Sequence, residues 1–321
     1  MVRYILGRLA GLLFAIFAAS LITFTLMHSV PGGPFDETKM PLPPAAKANI
    51  LRKYGLDQPA WKQYLKYMWN VLHFDFGIPY QVPTTTVTAL IAQTWFVTAQ
   101  VGVMTIALSY SLGLLMGLVA AYYQNSWIDN LVTFAAMLGT TIPNFVVALW
   151  LLLLFSVQLK WLPMGGWSEE RNWIVPGFFS KDWIMPVVAY SLRPFSTVAR
   201  YTRSSVVEAI SADYVRTARA KGLRERTIVI RHVLKNAMIP MITVLGPDIP
   251  NLLTGSIFIE ATFRIPGLGK YFWTSTFNRD YPMIMALSLL IAFLWSITNL
   301  LTDILYTWAD PRLRFGEAGG T

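Results

Sequence analysis

Apolar residues in this chain gather into long blocks with short polar breaks, the spacing expected of helices rather than of alternating strands. Residues 9–30 contain no Asp, Glu, Lys or Arg. About 22 residues at ~1.5 Å each reach ~33 Å, enough to cross a hydrocarbon core of ~30 Å, so the block predicts a membrane-spanning helix. Five more blocks follow at residues 95–122, 131–159, 183–202, 237–259 and 283–308. The expected architecture is therefore an all-α multi-spanning membrane protein with six transmembrane helices. The fourth and fifth blocks are the weakest, because Arg193 and Pro194 interrupt one and Pro240, Gly246, Pro247, Asp248 and Pro250 interrupt the other. Irregular backbone and charge at membrane depth are tolerated only inside protein or beside water. These two spans are predicted to face the bundle interior or a pathway, and the unbroken first span to face lipid.

The breaks divide the chain into three parts: residues 1–30 with the first span, an external segment at 31–94, and a core of five spans at 95–321. Within the external segment, Pro41, Pro43 and Pro44 precede two amphipathic patterns. Residues 45–54 end at Gly55, and residues 59–72 set Trp61, Tyr64, Leu65, Met68 and Leu72 near one face. Both predict short helices lying outside the membrane, and the aromatic stripe reads equally as local packing or as a docking face. A cleaved signal peptide is the other reading of the first block. Its apolar part would be only about 7–15 residues long, so an uncleaved span is expected.

Charge orients the bundle. Arg3, Arg8, Arg312 and Arg314 lie near the termini, and nine of the 26 basic residues lie between Arg200 and Lys235. Lys and Arg favour the cytoplasmic side, which predicts both termini and the 203–235 loop inside, with 160–182 and 260–282 outside. The net charge of +9 then reflects topology and anionic lipid, not nucleic acid. With 55% hydrophobic and 13% charged residues and a mean hydropathy of +0.47, the chain lies far from soluble domains, where about 25% charged is usual. Zero cysteines exclude disulfides, thiolate metal sites and a cysteine nucleophile. His28, His73 and His232 lack metal-ligand spacing. No GxxxxGK[ST], HExxH or GxSxG occurs, so the chain carries neither its own nucleotide loop nor these hydrolase signatures.

The basic loop has an internal plan. Ser211 is the expected N-cap of a short helix, Asp213 sits in its first turn, Arg216, Arg219 and Lys221 follow, and Gly222 stands where the helix would stop. A second helical pattern begins beyond it with Ile228, Val229 and Ile230. Helix, glycine and helix between two spans resemble the cytoplasmic coupling loop of ATP-binding-cassette (ABC) importer permeases. The wording from Asp213 to Leu223 is similar to that of the oligopeptide, dipeptide and nickel branch, with Arg216-Thr217-Ala218 in place of the wider superfamily's Glu-Ala-Ala. The proline of the general motif falls at about Lys235 and is absent, although Pro240 lies one turn on. Residues 51–59, Gln63-Tyr64 and Asp75-Phe76-Gly77 resemble the same branch. So do Phe263-Arg264-Ile265-Pro266-Gly267-Leu268-Gly269-Lys270, Arg279-Asp280-Tyr281-Pro282, Asp303-Ile304-Leu305-Tyr306 and the tail from Asp310 to Arg314. Trp161-Leu162-Pro163 and Gly165-Gly166-Trp167 resemble the oligopeptide subtype.

The resemblance implies the type I ABC importer permease fold in a prokaryotic inner membrane. It also implies a second homologous permease subunit, two cytoplasmic ATPases holding ATP and magnesium, an external substrate-binding protein and a peptide substrate; no cofactor is implied in this chain. Ala212, Asp213, Arg216, Ala218, Arg219, Ala220, Gly222, Leu223 and Arg224 would contact an ATPase, the small residues permitting close approach and the arginines pairing with acidic groups. Asp248 has two open readings, a contact for the peptide's amino end or a cap for backbone freed by Pro247 and Pro250. Pro247, Asn251 and Glu260 join it as pathway candidates, and Pro266, Gly267, Gly269 and Asp280 as external gate or docking candidates. Asp303 is expected to pair with a base at the inner face. A stand-alone secondary transporter would show inverted repeats and an intramembrane ion site, and no convincing repeat is visible.

Overall fold

The computed structural model describes residues 2–31, 33–35, 44–167 and 181–309. Arg312, Arg314 and the rest of the tail from Asp310 lie outside them, as do Pro41, Pro43 and residues 168–180. Thirteen α-helices and no strand occur among the described residues. In chain order they are α1 (Val2–Ser29), α2 (Pro44–Tyr54), α3 (Ala60–Leu72), α4 (Val87–Tyr122), α5 (Trp127–Thr141) and α6 (Asn144–Leu151), which a π-type segment Leu152–Gln158 extends. There follow α7 (Ile184–Ser211), α8 (Asp213–Ala220) and α9 (Glu225–Ile228). A second π-type segment, Val229–Leu234, joins α9 to α10 (Lys235–Leu253), and α11 (Ile257–Thr262), α12 (Gly269–Asn278) and α13 (Tyr281–Ala309) complete the chain.

Three helices among the described residues are long and apolar enough to cross a membrane unaided: Gly7–Ser29, Val87–Tyr122 and Tyr281–Leu305. The expected straight span at 131–159 is instead two helices, α5 and α6 with its extension, bent by 103°. The cause is Pro143, which has no N–H to continue the ladder and pushes the preceding Ile142 into extended backbone (φ −83°, ψ 124°). Neither α7 nor α10 reaches the same apolarity, as the interrupted pattern anticipated, and α7 is the most enclosed helix in the bundle. It packs against α4, α5, α6, α10 and α11. Pro194 lies inside it without ending it, and α10 runs unbroken through Pro247 and Pro250, so the expected break in the fifth block does not occur.

Close approach of α4 and α7 depends on Gly113 and Gly117, one turn apart. A Cβ at Gly113 would lie 2.8 Å from Val198 Cβ, and one at Gly117 would lie 2.6 Å from the Ala199 carbonyl oxygen. Spans gain little from apolar burial alone, so this small-xxx-small contact supplies the dispersion that holds the pair. An ion pair with a buried carboxylate and a half-buried guanidinium locks the next layer. Asp129 in the first turn of α5 is 2% exposed. Its carboxylate accepts both Nε and Nη2 of Arg203 on α7, the second at 2.6 Å, and also the Asn125 N–H at 2.9 Å. At the same end Arg8 on α1 meets Asp303 on α13 at 2.9 Å, the partner expected for Asp303.

Candidate functional site

The basic loop is built on an apolar base. Val215 and Ala218, one turn apart on α8, are buried with Ile228, Ala121 of α4, Val206 and Ala209 of α7, and Val233. Ala218 therefore anchors α8 to the bundle and is not part of its free surface. Asp213, Arg216, Arg219, Ala220, Gly222, Leu223 and Arg224 are exposed, and Ala212 is half-buried. Ser211 is not the N-cap: its hydroxyl donates back to the Val207 and Glu208 carbonyls at 3.1 and 2.9 Å. Ala212, in extended backbone, takes the cap position without a side-chain bond. The chain turns sharply from α7 into α8, and a serine still bonded into the last turn of α7 is unable to serve the next helix.

The other end of α8 is firmly closed. Gly222 has φ +73°. Its N–H donates to the Arg219 carbonyl at 2.9 Å and the Leu223 N–H to the Ala218 carbonyl at 3.3 Å, the two bonds of a Schellman motif. Arg219 and Glu225, both about half-exposed, meet at 2.7 Å across this turn. The guanidinium hydrogen bond holds the Glu225 carboxyl below its ordinary range. Arg219 is thus engaged within its own loop and Arg216 lies 3.8 Å from Asp213, while Arg224 is exposed beyond the turn.

Toward the opposite end, the pathway candidates separate. On α10, Pro247 and Asn251 are exposed and Asp248 is half-buried. Asp248 Oδ2 accepts the Tyr110 hydroxyl of α4 at 2.9 Å; it bridges two helices instead of capping a break. Tyr190 of α7 donates to the Asn251 carbonyl at 3.2 Å, and Trp95 Nε1 to the Leu253 carbonyl at 3.1 Å.

Glu260 belongs with the gate candidates. It is 3% exposed, and its two oxygens accept the Thr98 hydroxyl at 2.9 Å and the Gly269 N–H at 2.6 Å. Thr98 Oγ1 in turn accepts the Leu268 N–H at 2.8 Å. A threonine of α4 and a carboxylate of α11 thereby satisfy the free N–H groups that open α12. Space for this comes from glycine: a Cβ at Gly267 would collide with the Glu260 carboxylate and the Thr98 hydroxyl, and one at Gly269 would stand 2.8 Å from Glu260 Oε2. Pro266 is exposed beside them and borders a cleft of about 590 Å³ with Phe258, Arg264, Lys270 and Trp273. Asp280 is 2% exposed; its carboxylate accepts the Gln81 N–H at 3.0 Å and the Met283 N–H at 3.5 Å. That places it as a cap on α13 that also pins the 77–86 loop.

Residues 113–315 match the family model described as binding-protein-dependent transport system inner membrane component, and residues 1–85 match the corresponding N-terminal model. The chain belongs to this family. It is 39% identical over 314 residues to the dipeptide transport system permease protein DppB of Lactococcus lactis, an alignment covering 98% of this chain and all of that one. Identity is 38% over 315 residues to the oligopeptide transport system permease protein OppB of Salmonella typhimurium, again over 98% and 100%. Against DppB of Bacillus subtilis it is 36% over 319 residues, covering 99% and 100%. Among solved structures, a chain of the MetNI methionine ABC transporter in an inward-facing conformation superposes with a TM-score of 0.54 at 15% identity, covering 69% of this chain and 96% of that one. The likeness places this permease in the type I ABC importer fold.

Several structural residues of the permease escaped sequence reasoning. Thr98, Tyr110, Tyr190 and Trp95 carry no local signal, because each acts across the bundle on a helix 61 to 162 residues away. Asp129 and Arg203 did carry one. Opposite charges at the edges of two apolar blocks invite pairing.

Proposed function

We propose that this chain is a transmembrane permease subunit of an ATP-driven importer that moves peptides from an external binding protein into the cytoplasm. The end-to-end match to dipeptide and oligopeptide permeases, at 36–39% identity, carries the reading, and α8 supplies the mechanism. An exposed basic helix whose inner face is fixed in an apolar cluster behaves as a rigid lever. Seated in a cleft of an ATPase subunit, it would turn ATP-driven closure into rigid-body motion of α4, α7 and α10. ATP and magnesium belong to two such partner ATPases.

In this reading the six blocks cross a prokaryotic inner membrane, with both termini and the 203–235 loop in the cytoplasm. Residues 31–94 lie on the far side, and residues 95–321 form the core. Pro247, Asp248 and Asn251 present a polar, exposed face at mid-bundle depth that is unsuited to lipid; it faces the second, homologous permease subunit across the peptide pathway. Glu260, Gly267 and Gly269 form the rigid floor of an external gate, and Pro266 and its neighbours meet the binding protein. Asp280 ties the start of α13 to the 77–86 loop.

Two measurements test this. The complex encoded with this chain, reconstituted with its binding protein in proteoliposomes, is expected to accumulate di- or oligopeptides only when ATP is supplied. Uptake of nickel or an oligosaccharide instead would overturn the substrate class. Single cysteines at Lys66 and Trp167 are expected to react with an impermeant reagent from outside, and one at Arg224 only after permeabilisation. Labelling of Arg224 in intact cells would reverse the orientation.

A further inference from the structure

The sequence predicts α3 outside the membrane, and its contacts in the fold are with α1, the helix expected to cross it. Ser20 lies nine residues before the end of α1 at Ser29, about 14 Å down the span at ~1.5 Å per residue. The Tyr64 hydroxyl of α3 lies 2.8 Å from Ser20 Oγ, and the Tyr64 ring packs on Phe24 at 5.2 Å between centroids. One residue earlier, Gln63 Oε1 meets His28 Nε2 at 3.2 Å, next to the end of α1. So α3 lies beside the last turns of α1 with Tyr64 pointing down toward the middle of the span.

At about 100° per residue, three faces follow. Tyr64 and Val71 look toward α1. Lys62, Gln63, Lys66, Tyr67 and Asn70 line an open cleft of about 820 Å³ against residues 52–58. The third face carries Trp61, Leu65, Trp69 and Leu72, which are 62, 57, 65 and 71% exposed, and Phe74 just beyond is 79% exposed. Among the described residues, no helix covers that face. It also adjoins an exposed apolar surface, since α1 joins the bundle chiefly through α13 and leaves Phe17, Leu21, Ile22 and Leu26 exposed.

We propose that α3 is an interfacial anchor: Trp61, Leu65, Trp69 and Leu72 lie among the acyl chains of the leaflet at the C-terminal end of α1, with Lys62 and Lys66 at headgroup level. Helices with this arrangement, aromatic and leucine on one face and lysine on the other, bind in the plane of the membrane surface. Tryptophan is suited to that depth, and lysine reaches from it to water. Tyr64, on the neighbouring face of the same helix, reaches a residue ~14 Å down α1, a depth that favours lipid over a soluble binding protein as the occupant. The depth rests on α1 crossing the membrane; that the leaflet is the outer one rests on the orientation proposed above.

The chain has no cysteine, so with the partner subunits also made cysteine-free a nitroxide at Leu65→Cys reports one site in the assembled importer in lipid nanodiscs. Collision with oxygen, which concentrates in acyl chains, should exceed collision with a water-soluble nickel chelate several-fold. The order should reverse at Lys66→Cys, one residue on. Chelate access at Leu65 equal to that at Lys66 would make α3 a helix in water, and protection of Leu65 from both reagents would mean that a protein partner covers it; either result overturns the proposal. Trp69→Cys repeats the measurement on the same face. The contrast is independent of which leaflet is occupied, so an error in orientation, detected by impermeant labelling, leaves it intact.

Discussion

Replacing Gly222 isolates backbone strain from contact, because a Cβ there meets nothing within 4 Å in this chain. No clash arises within this chain, and only the conformation resists substitution. With φ at +73°, a residue with a Cβ costs about 1–2 kcal/mol, and a β-branched one more. That corresponds to about a 5- to 30-fold loss in the ratio of closed to frayed helix ends. The bonds at stake are those from Gly222 to Arg219 and from Leu223 to Ala218, while Val215 stays buried and the spans insert normally. Expected activities, read as ATP hydrolysis stimulated by loaded binding protein in the complex, fall in the order Gly, Asn, Ala, Val, since asparagine tolerates the left-handed region. The chain should be present at normal levels, with weaker retention of the ATPases for Gly222→Val. Full stimulation in Gly222→Val would refute the coupling role of residues 211–235. Equal loss in Asn, Ala and Val variants would refute strain as the cause and point to close approach by the ATPase.

Three further outcomes follow from the interior. Arg203→Met leaves the Asp129 carboxylate without its partner and should lower stability by about 1–3 kcal/mol, whereas the double variant with Asp129→Asn should recover much of it; thermal unfolding in detergent checks both. Gly267→Ala forces a Cβ onto Glu260 and Thr98 and should cost about 1–3 kcal/mol, while Pro266→Ala on the exposed neighbour leaves the melting temperature unchanged. Asp248→Asn keeps an oxygen for the Tyr110 hydroxyl and should fold, with reduced peptide uptake by the assembled complex. Unaltered uptake of both neutral and basic peptides would remove Asp248 from the pathway, and misfolding would assign it a structural role alone.

Local pattern was enough for much of this protein. Long apolar blocks impose helices because the bilayer leaves no other partner for backbone groups, and Gly222 announces the end of α8 because the left-handed turn is open to few other residues. Arg193, Pro247 and Asp248 marked α7 and α10 as the less lipid-like helices from composition alone. Other features exist only after packing. The 103° bend at Pro143 looked in sequence like a continuous span, since one proline in an apolar run either kinks or breaks a helix according to what its neighbours permit. Ser211 has the right chemistry for a cap, and was taken instead by the carbonyls behind it. Asp248 read equally as a substrate contact or a cap, and its carboxylate meets Tyr110, 138 residues away. Glu260 with Thr98, and Tyr64 with Ser20, are likewise meetings of distant segments. A hydrogen bond needs its partner within about 3 Å, and only the tertiary structure decides which side chain that is.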